Sequence, residues 1–486
     1  MSEIKNLQPE AIWRNFYLLT QVPRPSGHLE KIQKFLLDWA AEKGVEAFQD
    51  EAGNIVMRKP ASPGMENRKY VTLQGHMDMV PQAVKGSTHN FETDPIEAYV
   101  DGEWVKARGT TLGADDGMAV ATIMAIMEDN TLRHGPIEGF ITADEETTMY
   151  GVNHMKAETL EGEILLNLDN ETEGEMIIGS AGGVNMTARL EYKPEPAERG
   201  DAAVRLTLHK LFGGHSGLEI NEGRCNANKA MARIVQDAIV NFAACLAEWH
   251  GGNMRNAIPS SAEVVLTLPG ENVEAFKEAV GEWRQTLKEE YYPVEQSLEL
   301  DVADVDCPAH VVPAEIQDNL VNAICAAHNG VYRFIPEVPE IVETSSNLAI
   351  VNIGEGKAEF LILIRSSRDS MRECCAESLE SAFSMAGMKV ELSGQYPAWQ
   401  PNPHSEIVDL MKEVYRELFH EENRVQVIHA GLECGIIGAL RPQMDLVSFG
   451  PTLRSPHTPN ERCHIPSVEK YWQFVKTTLE RIPEKK

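Results

Sequence analysis

Acidic and imidazole side chains recur along this 486-residue chain directly after short apolar runs. The residues concerned are His76, Asp78, Asp115, Glu145, Glu146, Asp169 and His457. Imidazole nitrogen and carboxylate oxygen are good ligands for zinc. Two metal ions about 3.5–4 Å apart can share an attacking hydroxide and polarise a scissile carbonyl. The residue types therefore predict a dinuclear metal centre that supports hydrolysis.

The spacing of these residues indicates separate roles. Asp78 follows His76 by two positions, and side chains at that spacing face the same way in an extended chain. Asp78 can then accept the second ring N–H of His76 and fix its tautomer. Glu145 and Glu146 are adjacent and point differently, so one can bind metal while the other remains a general base. Asp115 can bridge two ions, because each carboxylate oxygen can hold one.

Each of these signals also has a simpler structural explanation when it is taken alone. His-x-Asp and Glu-Glu sequences are common on solvated surfaces. The pair Asp115-Asp116, which precedes an apolar helical stretch, is also typical of helix N-capping. The joint occurrence of all the signals at the ends of successive strands is what favours a metal site.

The elements that must position these residues alternate between helix and strand from about residue 28 to 180 and again from about 400. The predicted helices are 30–43, 117–128, 405–419 and 468–482, and the predicted strands are 70–75, 137–142, 164–168 and 445–449. This alternation predicts an α/β catalytic domain with a mixed central sheet flanked by helices. Ligands of open α/β sheets bind at the carboxyl ends of the strands, which is where the acidic and imidazole groups follow.

The middle of the chain has a different order of predicted strands and helices, which indicates an inserted α+β domain. Its predicted strands are 203–208, 262–268, 347–353 and 358–364, and its predicted helices are 227–247, 314–328 and 370–386. Linkers are expected at 192–200 and 394–403, where proline and glycine concentrate. The expected division is 1–187 for the first part of the catalytic domain, 188–395 for the inserted lid and substrate-binding domain, and 396–486 for the second part.

Composition limits the partners and the compartment. A formal net charge of −30 repels phosphate backbones, so nucleic acid is not an expected partner. The longest apolar-rich stretch, 118–127, is too short to span a bilayer, so no membrane partner is expected. The eight cysteines include no C-x-x-C pair, and the first residues do not have the pattern of a signal peptide. We therefore expect a reduced, cytoplasmic protein.

The motifs together resemble a known family. GHMD at 75–78, TLGADDG at 111–117, DEE at 144–146, NLD at 167–169 and SPHTP at 455–459 resemble the co-catalytic zinc peptidases related to carboxypeptidase and aminoacylase. The longer segments ENRKYVTLQGHMDMVPQ, DGEWVKARGTTLGADDG, GGHSG, RNAIP, IHAGLECG and SFGPT are more similar to aminoacyl-histidine dipeptidases, also called cytosol non-specific dipeptidases. The similarity runs from about residue 10 to the C-terminus.

The resemblance implies a role for each motif residue of the predicted metal centre. One zinc ion would be held by His76, Asp115 and Asp169, and the other by Asp115, Glu146 and His457. Asp78 would orient His76, and Glu145 would act as general base and acid. The implied cofactor is two Zn²⁺ per chain, and Co²⁺ or Mn²⁺ can substitute because ligand type alone does not distinguish them.

Within the inserted domain the resemblance implies a grip on the substrate. His215 in GGHSG would stabilise the oxyanion, and Asn256 in RNAIP and Arg365 in LILIRSS would bind the terminal carboxylate. A planar guanidinium suits a carboxylate. Gly431 in HAGLECG would only permit a tight backbone or line the pocket. The resemblance also implies a homodimer.

The implied activity is metal-dependent hydrolysis of dipeptides, broad in specificity but with some preference for Xaa-His substrates. Bridging hydroxide would attack the peptide carbonyl, and domain closure would bring the groups of the insert to the metal ions. Two alternatives remain open: an aminoacylase, carboxypeptidase or tripeptidase of the same family, or a metal-stabilised binding protein without catalysis. The chain departs from the family pattern at Thr147-Thr148, where glycine is usual, and at Asp116, where asparagine is usual.

Overall fold

The computed structural model describes residues 3–198, 201–336, 338–402 and 404–485. The chain divides into two units. The first runs up to Gly179 and also contains Trp399–Val427 and the residues from Leu432 onward. The second comprises Ser180–Ala398 and Ile428–Gly431. Within the described ranges, no helix is both long and apolar enough to cross a membrane.

The α-helices are α1 (Glu10–Thr20), α2 (Glu30–Lys43), α3 (Ala114–Glu128), α4 (Glu145–Thr148), α5 (Tyr150–His154), α6 (Ala227–Phe242), α7 (Val273–Glu290), α8 (Ala314–Ala326), α9 (Asp369–Met385), α10 (Glu406–Phe419), α11 (Glu433–Leu440) and α12 (Ile465–Arg481). The strands before residue 200 are β1 (Glu46–Gln49), β2 (Ile55–Lys59), β3 (Val71–His76), β4 (Ala98–Asp101), β5 (Trp104–Ala107), β6 (Ile137–Thr142), β7 (Ile164–Asn167), β8 (Glu175–Ser180), β9 (Gly182–Glu191) and β10 (Glu195–Pro196). The later strands are β11 (Asp201–His209), β12 (Cys245–Gly251), β13 (Ala262–Pro269), β14 (Glu299–Val305), β15 (His310–Val311), β16 (Gly330–Ile335), β17 (Val338–Gly354), β18 (Lys357–Ser366), β19 (Lys389–Tyr396), β20 (Arg424–Ile428), β21 (Asp445–Ser448), β22 (Leu453–Arg454) and β23 (Arg462–His464).

The first unit is built on a mixed sheet in the order β1-β2-β6-β3-β7-β21-β8-β20. Strands β6, β3, β7 and β21 run parallel, so their carboxyl ends meet at one edge of the sheet. Strands β3, β6 and β7 are buried along their whole length, as expected of parallel strands covered on both faces. Helix α3 is buried from Ala114 to Met127, and a helix that is apolar on all sides belongs in a core. The predicted α/β fold of this unit is confirmed.

The second unit has its own sheet and its own core. The strand order is β14-β11-β13-β12-β17-β18-β9-β19, and β16 pairs with β17. All of the described pairings in this sheet are antiparallel. Large side chains from its strands and helices form the core, namely Trp249, Phe276, Phe360 and Phe383. This α+β architecture agrees with the predicted insert.

The junctions between the units differ in detail from the sequence-based boundaries. The second unit begins at Ser180, because β9 pairs with β18 and β19 of the same unit. The predicted linker 192–200 therefore falls inside that unit, and its last two residues lie outside the described ranges. The second predicted linker, 394–403, overlaps the end of β19, and its final residue is also outside them.

One predicted helix is wrong at its end. The sequence predicted helix 227–247, but α6 ends at Phe242 and the chain turns through Ala243, whose φ is 54°. Residues Cys245–Gly251 then form β12, which pairs with β13. The alanine-rich sequence suits a helix, and the sheet contacts of this segment override that local preference.

Candidate metal centre

The site begins where β3 ends. His76 is 1% exposed, and its Nδ1 lies 3.4 Å from Asp78 Oδ1. Asp78 also accepts hydrogen bonds from the backbone N–H groups of Glu145 and Glu146, at 3.0 and 3.2 Å, and from the Ser26 hydroxyl at 2.8 Å. Asp78 therefore holds the His76 ring and the start of the Glu145–Glu146 turn at once. The sequence predicted the contact of Asp78 with His76, but it did not predict the hydrogen bonds of Asp78 with the Glu145–Glu146 turn.

Asp115 lies between the two histidines. Its Oδ1 is 3.1 Å from His76 Nε2, and its Oδ2 is 3.0 Å from His457 Nε2. His457 Nε2 is also 2.9 Å from Glu146 Oε2. A carboxylate that presents one oxygen to each of two imidazoles has the arrangement required of a bridging ligand.

The remaining predicted residues lie at the same sheet edge. His76 Nε2 is 3.9 Å from Asp169 Oδ1 and 4.0 Å from Glu145 Oε2. The structure thus brings together all seven acidic and imidazole residues that the sequence singled out in this unit. Two sets of side chains place ligand atoms within 4.8 Å of one another: His76, Asp116 and Asp169, and His76, Asp115 and Glu146.

These two sets differ from the predicted ligand sets, because Asp116 enters the first and His76 takes the place of His457 in the second. Asp116 Oδ2 accepts a hydrogen bond from the backbone N–H of His76 at 3.1 Å, which holds Asp116 at the end of β3. The distribution of the ligands over two ions stays a prediction.

The carboxylates of this cluster carry more negative charge than their surroundings neutralise. Burial raises the pKa of Glu145 and of Asp169 well above the usual range, and neighbouring carboxylates raise both further. Burial opposes protonation of His457, but its hydrogen bonds to the carboxylates of Asp115 and Glu146 outweigh this effect and raise the pKa of His457 to about 11. The cluster therefore favours an additional cation.

The donor set fits divalent metal ions. It consists of imidazole nitrogens and carboxylate oxygens, which zinc binds readily. Glu146 Oε1 is buried and has no hydrogen-bond partner among the described residues, although a buried carboxylate oxygen normally has one. A metal ion would supply the partner for this oxygen and the missing positive charge.

Glu461 is a component of the site that the sequence analysis missed. It is 2% exposed and lies on the segment that carries His457. Its two oxygens accept hydrogen bonds from the four backbone N–H groups of residues 112–115, at 2.7 to 3.2 Å. These N–H groups include donors at the start of α3 that have no partner within the helix, and such donors favour a negative charge nearby. Glu461 thereby ties the segment of His457 to that of Asp115.

Two further buried side chains support the site. The Arg24 guanidinium donates to the carbonyl oxygens of Met77, Asp78 and Gly113. Glu433 Oε2 accepts from the Thr142 hydroxyl at 2.7 Å and from Gln74 Nε2 at 2.5 Å, and burial raises the pKa of Glu433 to about 7. A single arginine or glutamate outside a recognisable motif does not indicate a role, so the sequence did not predict either residue.

In the second unit, two of the predicted substrate-binding residues are neighbours. Arg365 Nη2 lies 3.3 Å from His215 Nε2. Arg365 is 5% exposed, so its guanidinium is buried although it lies at the end of a strand. Asn256 is exposed, and its backbone carbonyl accepts from Ser216 N–H at 2.9 Å. The Asn256 loop is thus attached to the His215 loop, while the Asn256 side chain faces solvent.

Gly431 belongs to this second cluster as well. A Cβ atom at Gly431 would come within 2.9 Å of the Tyr396 ring, so the glycine allows the ring to approach the backbone. This agrees with the interpretation that the position needs a small residue. Tyr396 and His429, which also lie in the cluster, were not predicted.

Comparisons with known proteins agree with the site. The profile of Peptidase family M20/M25/M40 matches residues 72–481. The chain is 40% identical to the cytosol non-specific dipeptidase of Escherichia coli (strain K12) over 485 residues, which covers 100% of both chains. The chain therefore belongs to peptidase family M20/M25/M40, and the resemblance seen in its motifs is confirmed.

Solved structures give the same result for the fold. The aminoacylhistidine dipeptidase from Vibrio alginolyticus superposes with a TM-score of 0.86 at 41% sequence identity, covering 100% of this chain and 99% of that chain. A tripeptidase from Staphylococcus aureus reaches a TM-score of 0.57 at 16% identity, covering 98% and 99% of the two chains. The second likeness concerns the fold alone.

Proposed function

We propose that this protein is a metal-dependent dipeptidase with a leaning to dipeptides that carry a C-terminal histidine. The observation that carries the proposal is Asp115, which presents one oxygen to His76 and the other to His457 beside the carboxylate of Glu145. The names of the Escherichia coli and Vibrio alginolyticus relatives describe dipeptidases, and the second describes an aminoacylhistidine dipeptidase. Both relatives cover this chain from end to end.

The proposed cofactor is two Zn²⁺ ions per chain, for which Co²⁺ or Mn²⁺ can substitute. The ligands would be His76, Asp169 and Asp115 for one ion, and Asp115, Glu146 and His457 for the other, and the donor types support this assignment. Asp116 is an additional ligand candidate for the first ion. When bound, two such ions would polarise the peptide carbonyl and lower the pKa of water.

Glu145 is proposed to move the proton. Its carboxylate lies beside the metal ligands, and Asp78 holds the Glu145 backbone N–H at 3.0 Å. A base held in this way can take a proton from the attacking water and pass it to the leaving amine. Asp78 keeps the His76 ring in one orientation, which a metal ligand requires.

The cluster in the second unit is proposed to hold the substrate. Arg365 is a buried guanidinium, which suits the free carboxylate of a dipeptide. Asn256 would add a hydrogen bond to the same carboxylate, and His215 would stabilise the oxyanion of the transition state. A substrate-binding and lid role for this unit is part of the proposal.

The test is hydrolysis of a substrate panel by the purified protein. The panel contains Ala-Ala, Ala-His, beta-alanyl-histidine, N-acetyl-Ala-Ala and a tripeptide. We expect turnover of the free dipeptides, loss of turnover after chelation, and recovery with added Zn²⁺. Preferred turnover of the acetylated substrate or of the tripeptide would favour an aminoacylase or tripeptidase and overturn the proposal. No turnover in the presence of bound metal would favour a binding protein.

A matched pair of variants tests the base. Glu145→Gln removes the proton acceptor, and we expect turnover to fall by about 10²–10⁴-fold with metal still bound. Glu158→Gln, at an exposed position of the same unit, should leave turnover unchanged. Near-normal turnover of Glu145→Gln would show that another group is the base.

We also propose a cytoplasmic location and a homodimer. The name of the Escherichia coli relative places that protein in the cytosol, and the net charge of −30 gives no support to nucleic acid or anionic membrane as a partner. Light scattering of the purified protein measures its mass. A mass of one 54.0 kDa chain at micromolar concentration would contradict the dimer.

A further inference from the structure

Arg365 is held by contacts on two sides. Its Nη1 donates to the Tyr396 hydroxyl at 3.0 Å, and its Nη2 lies 3.3 Å from His215 Nε2. Its Nε is buried and has no hydrogen-bond partner among the described residues. A guanidinium carries five N–H donors, so these contacts leave donors for a carboxylate.

Tyr396 has little freedom to move away from Arg365. A Cβ atom at Gly183 would lie 2.5 Å from the Tyr396 hydroxyl oxygen, and one at Gly431 would lie 2.9 Å from the ring. The ring therefore occupies a slot between two backbone segments that only glycine leaves open. The Arg372 guanidinium donates to the Tyr396 carbonyl at 2.9 Å, which fixes the backbone at the same point.

The other imidazole of the cluster does not compete for an anion. His429 is 6% exposed, and its Nε2 lies 2.7 Å from the Ser345 hydroxyl. Burial lowers the pKa of His429 to about 3, and the positive charge of Arg365 contributes to the shift. His429 is therefore neutral at pH 7, and Arg365 supplies a permanent positive charge.

We infer that Tyr396 is a positioning residue that makes the enzyme selective for substrates with a free C-terminal carboxylate, by holding the Arg365 guanidinium in one orientation. This inference rests on the proposed function, because it assumes that Arg365 takes the carboxylate of a dipeptide. A bidentate bond between guanidinium and carboxylate needs the two planes to be aligned, and the hydroxyl of Tyr396 fixes the guanidinium plane in advance. Tyr396 itself does not touch the substrate in this account.

The test compares the free dipeptide Ala-Ala with its C-terminal amide, using Tyr396→Phe in the full-length, metal-loaded protein. The variant keeps the ring in its slot and removes only the hydroxyl. We expect KM for Ala-Ala to rise about tenfold, as loss of a hydrogen bond to a charged group does, with kcat changed by less than about twofold. KM for the amide should not change. Tyr292→Phe, at an exposed tyrosine of the same unit, is the matched control.

A double variant separates positioning from a direct role. If Tyr396 acts through Arg365, then Arg365→Ala combined with Tyr396→Phe should have the same KM as Arg365→Ala alone. Gly431→Ala is an independent probe that displaces the ring while both hydrogen-bonding groups remain, and it should also raise KM for Ala-Ala selectively. The inference is wrong if Tyr396→Phe raises KM for Ala-Ala and its amide equally, leaves both unchanged, or adds to Arg365→Ala. Failure of the proposed function would look different, because the unmodified protein would then not hydrolyse Ala-Ala.

Discussion

The metal centre of the first unit and the cluster around Arg365 in the second unit are assembled in different ways. Five of the seven metal-centre residues lie at or just after the ends of the parallel strands β3, β6 and β7, while Asp115 lies at the start of α3 and His457 lies between β22 and β23. The Arg365 cluster combines a loop at His215, the end of β18, the end of β19 at Tyr396 and a short segment at His429. The parallel strands of the first unit therefore bring most of its functional groups to one sheet edge, whereas those of the second unit come from positions scattered along the chain.

The two sites also have opposite electrostatic character. In the metal centre, burial raises the pKa of Glu146 and Asp169, so the site is short of positive charge. In the second cluster, Arg365 is a buried cation beside a neutral His429. We therefore propose that the first site binds metal cations and that the second binds an anion. Variants in one site should therefore change metal binding, and variants in the other should change substrate affinity.

The largest expected effect concerns the bridging position. Asp115→Asn removes the charge that faces both histidines, and we expect hydrolysis to fall by about a thousandfold or more because transition-state stabilisation by the metal ions is lost. The metal content measured by atomic emission should fall together with activity. Asp38→Asn, at an exposed site of the same unit, should change neither quantity. Normal activity of Asp115→Asn would contradict the proposal that Asp115 bridges two metal ions needed for hydrolysis.

A smaller effect on metal binding is expected at Glu461, which contacts the backbone of residues 112–115 and is not a predicted metal ligand. Glu461→Gln replaces two anionic acceptors by one neutral acceptor, so two of the N–H groups of residues 112–115 lose their partner. We expect affinity for Zn²⁺ to fall by about 10–100-fold, as for other supporting groups of metal ligands. Competition with a chromophoric chelator measures this affinity, and Glu469→Gln is the exposed control. An unchanged affinity would show that the loop holds its shape without Glu461.

In the second unit, Arg365 and Asn256 should differ. Arg365→Ala leaves metal content unchanged and raises KM for Ala-Ala by about 10–100-fold, because a charge-assisted bond to the carboxylate is lost. Asn256→Ala should raise KM by less than about tenfold, since an exposed amide contributes one neutral hydrogen bond. Steady-state kinetics with metal analysis of the same samples checks both variants. Loss of metal in Arg365→Ala would contradict the idea that one site binds metal and the other binds substrate.

The last effect concerns the stability of the metal-free protein rather than its activity. Burial raises the pKa of Glu433 from 4.5 to about 7, so the folded state binds more protons than the unfolded state between these values. Stability from this group is present below pH 4.5 and is lost as pH rises to 7, by up to about 3 kcal/mol. Glu433→Gln should therefore reduce the fall in Tm between pH 5 and 7.5 after chelation. The control is the exposed Glu413→Gln, and a Glu433→Gln profile parallel to that of the unmodified protein would contradict this account.

The sequence predicts the first unit better than the second. Helix α2 has the predicted bounds because Ile32, Leu36 and Trp39 recur at helical spacing, and strand β6 also has the predicted bounds. The grouping of the acidic and imidazole residues is also predictable, since the residue types needed for metal binding are few and most of them follow buried strands. Glu461 escapes notice because its partners at residues 112–115 are about 350 positions away and are backbone groups. Tyr396 escapes notice for a similar reason, as its role depends on a slot between Gly183 and Gly431.

The proposed dinuclear site depends on Asp115, which would hold both metal ions. Calorimetric titration of the chelated protein with Zn²⁺ tests it most directly, in the unmodified chain and in His457→Ala and Asp169→Asn. We expect two equivalents for the unmodified chain and one tight equivalent for each variant, because each removes a ligand of one ion only. A single equivalent in the unmodified chain, or complete loss of binding in His457→Ala with the fold intact, would contradict the account.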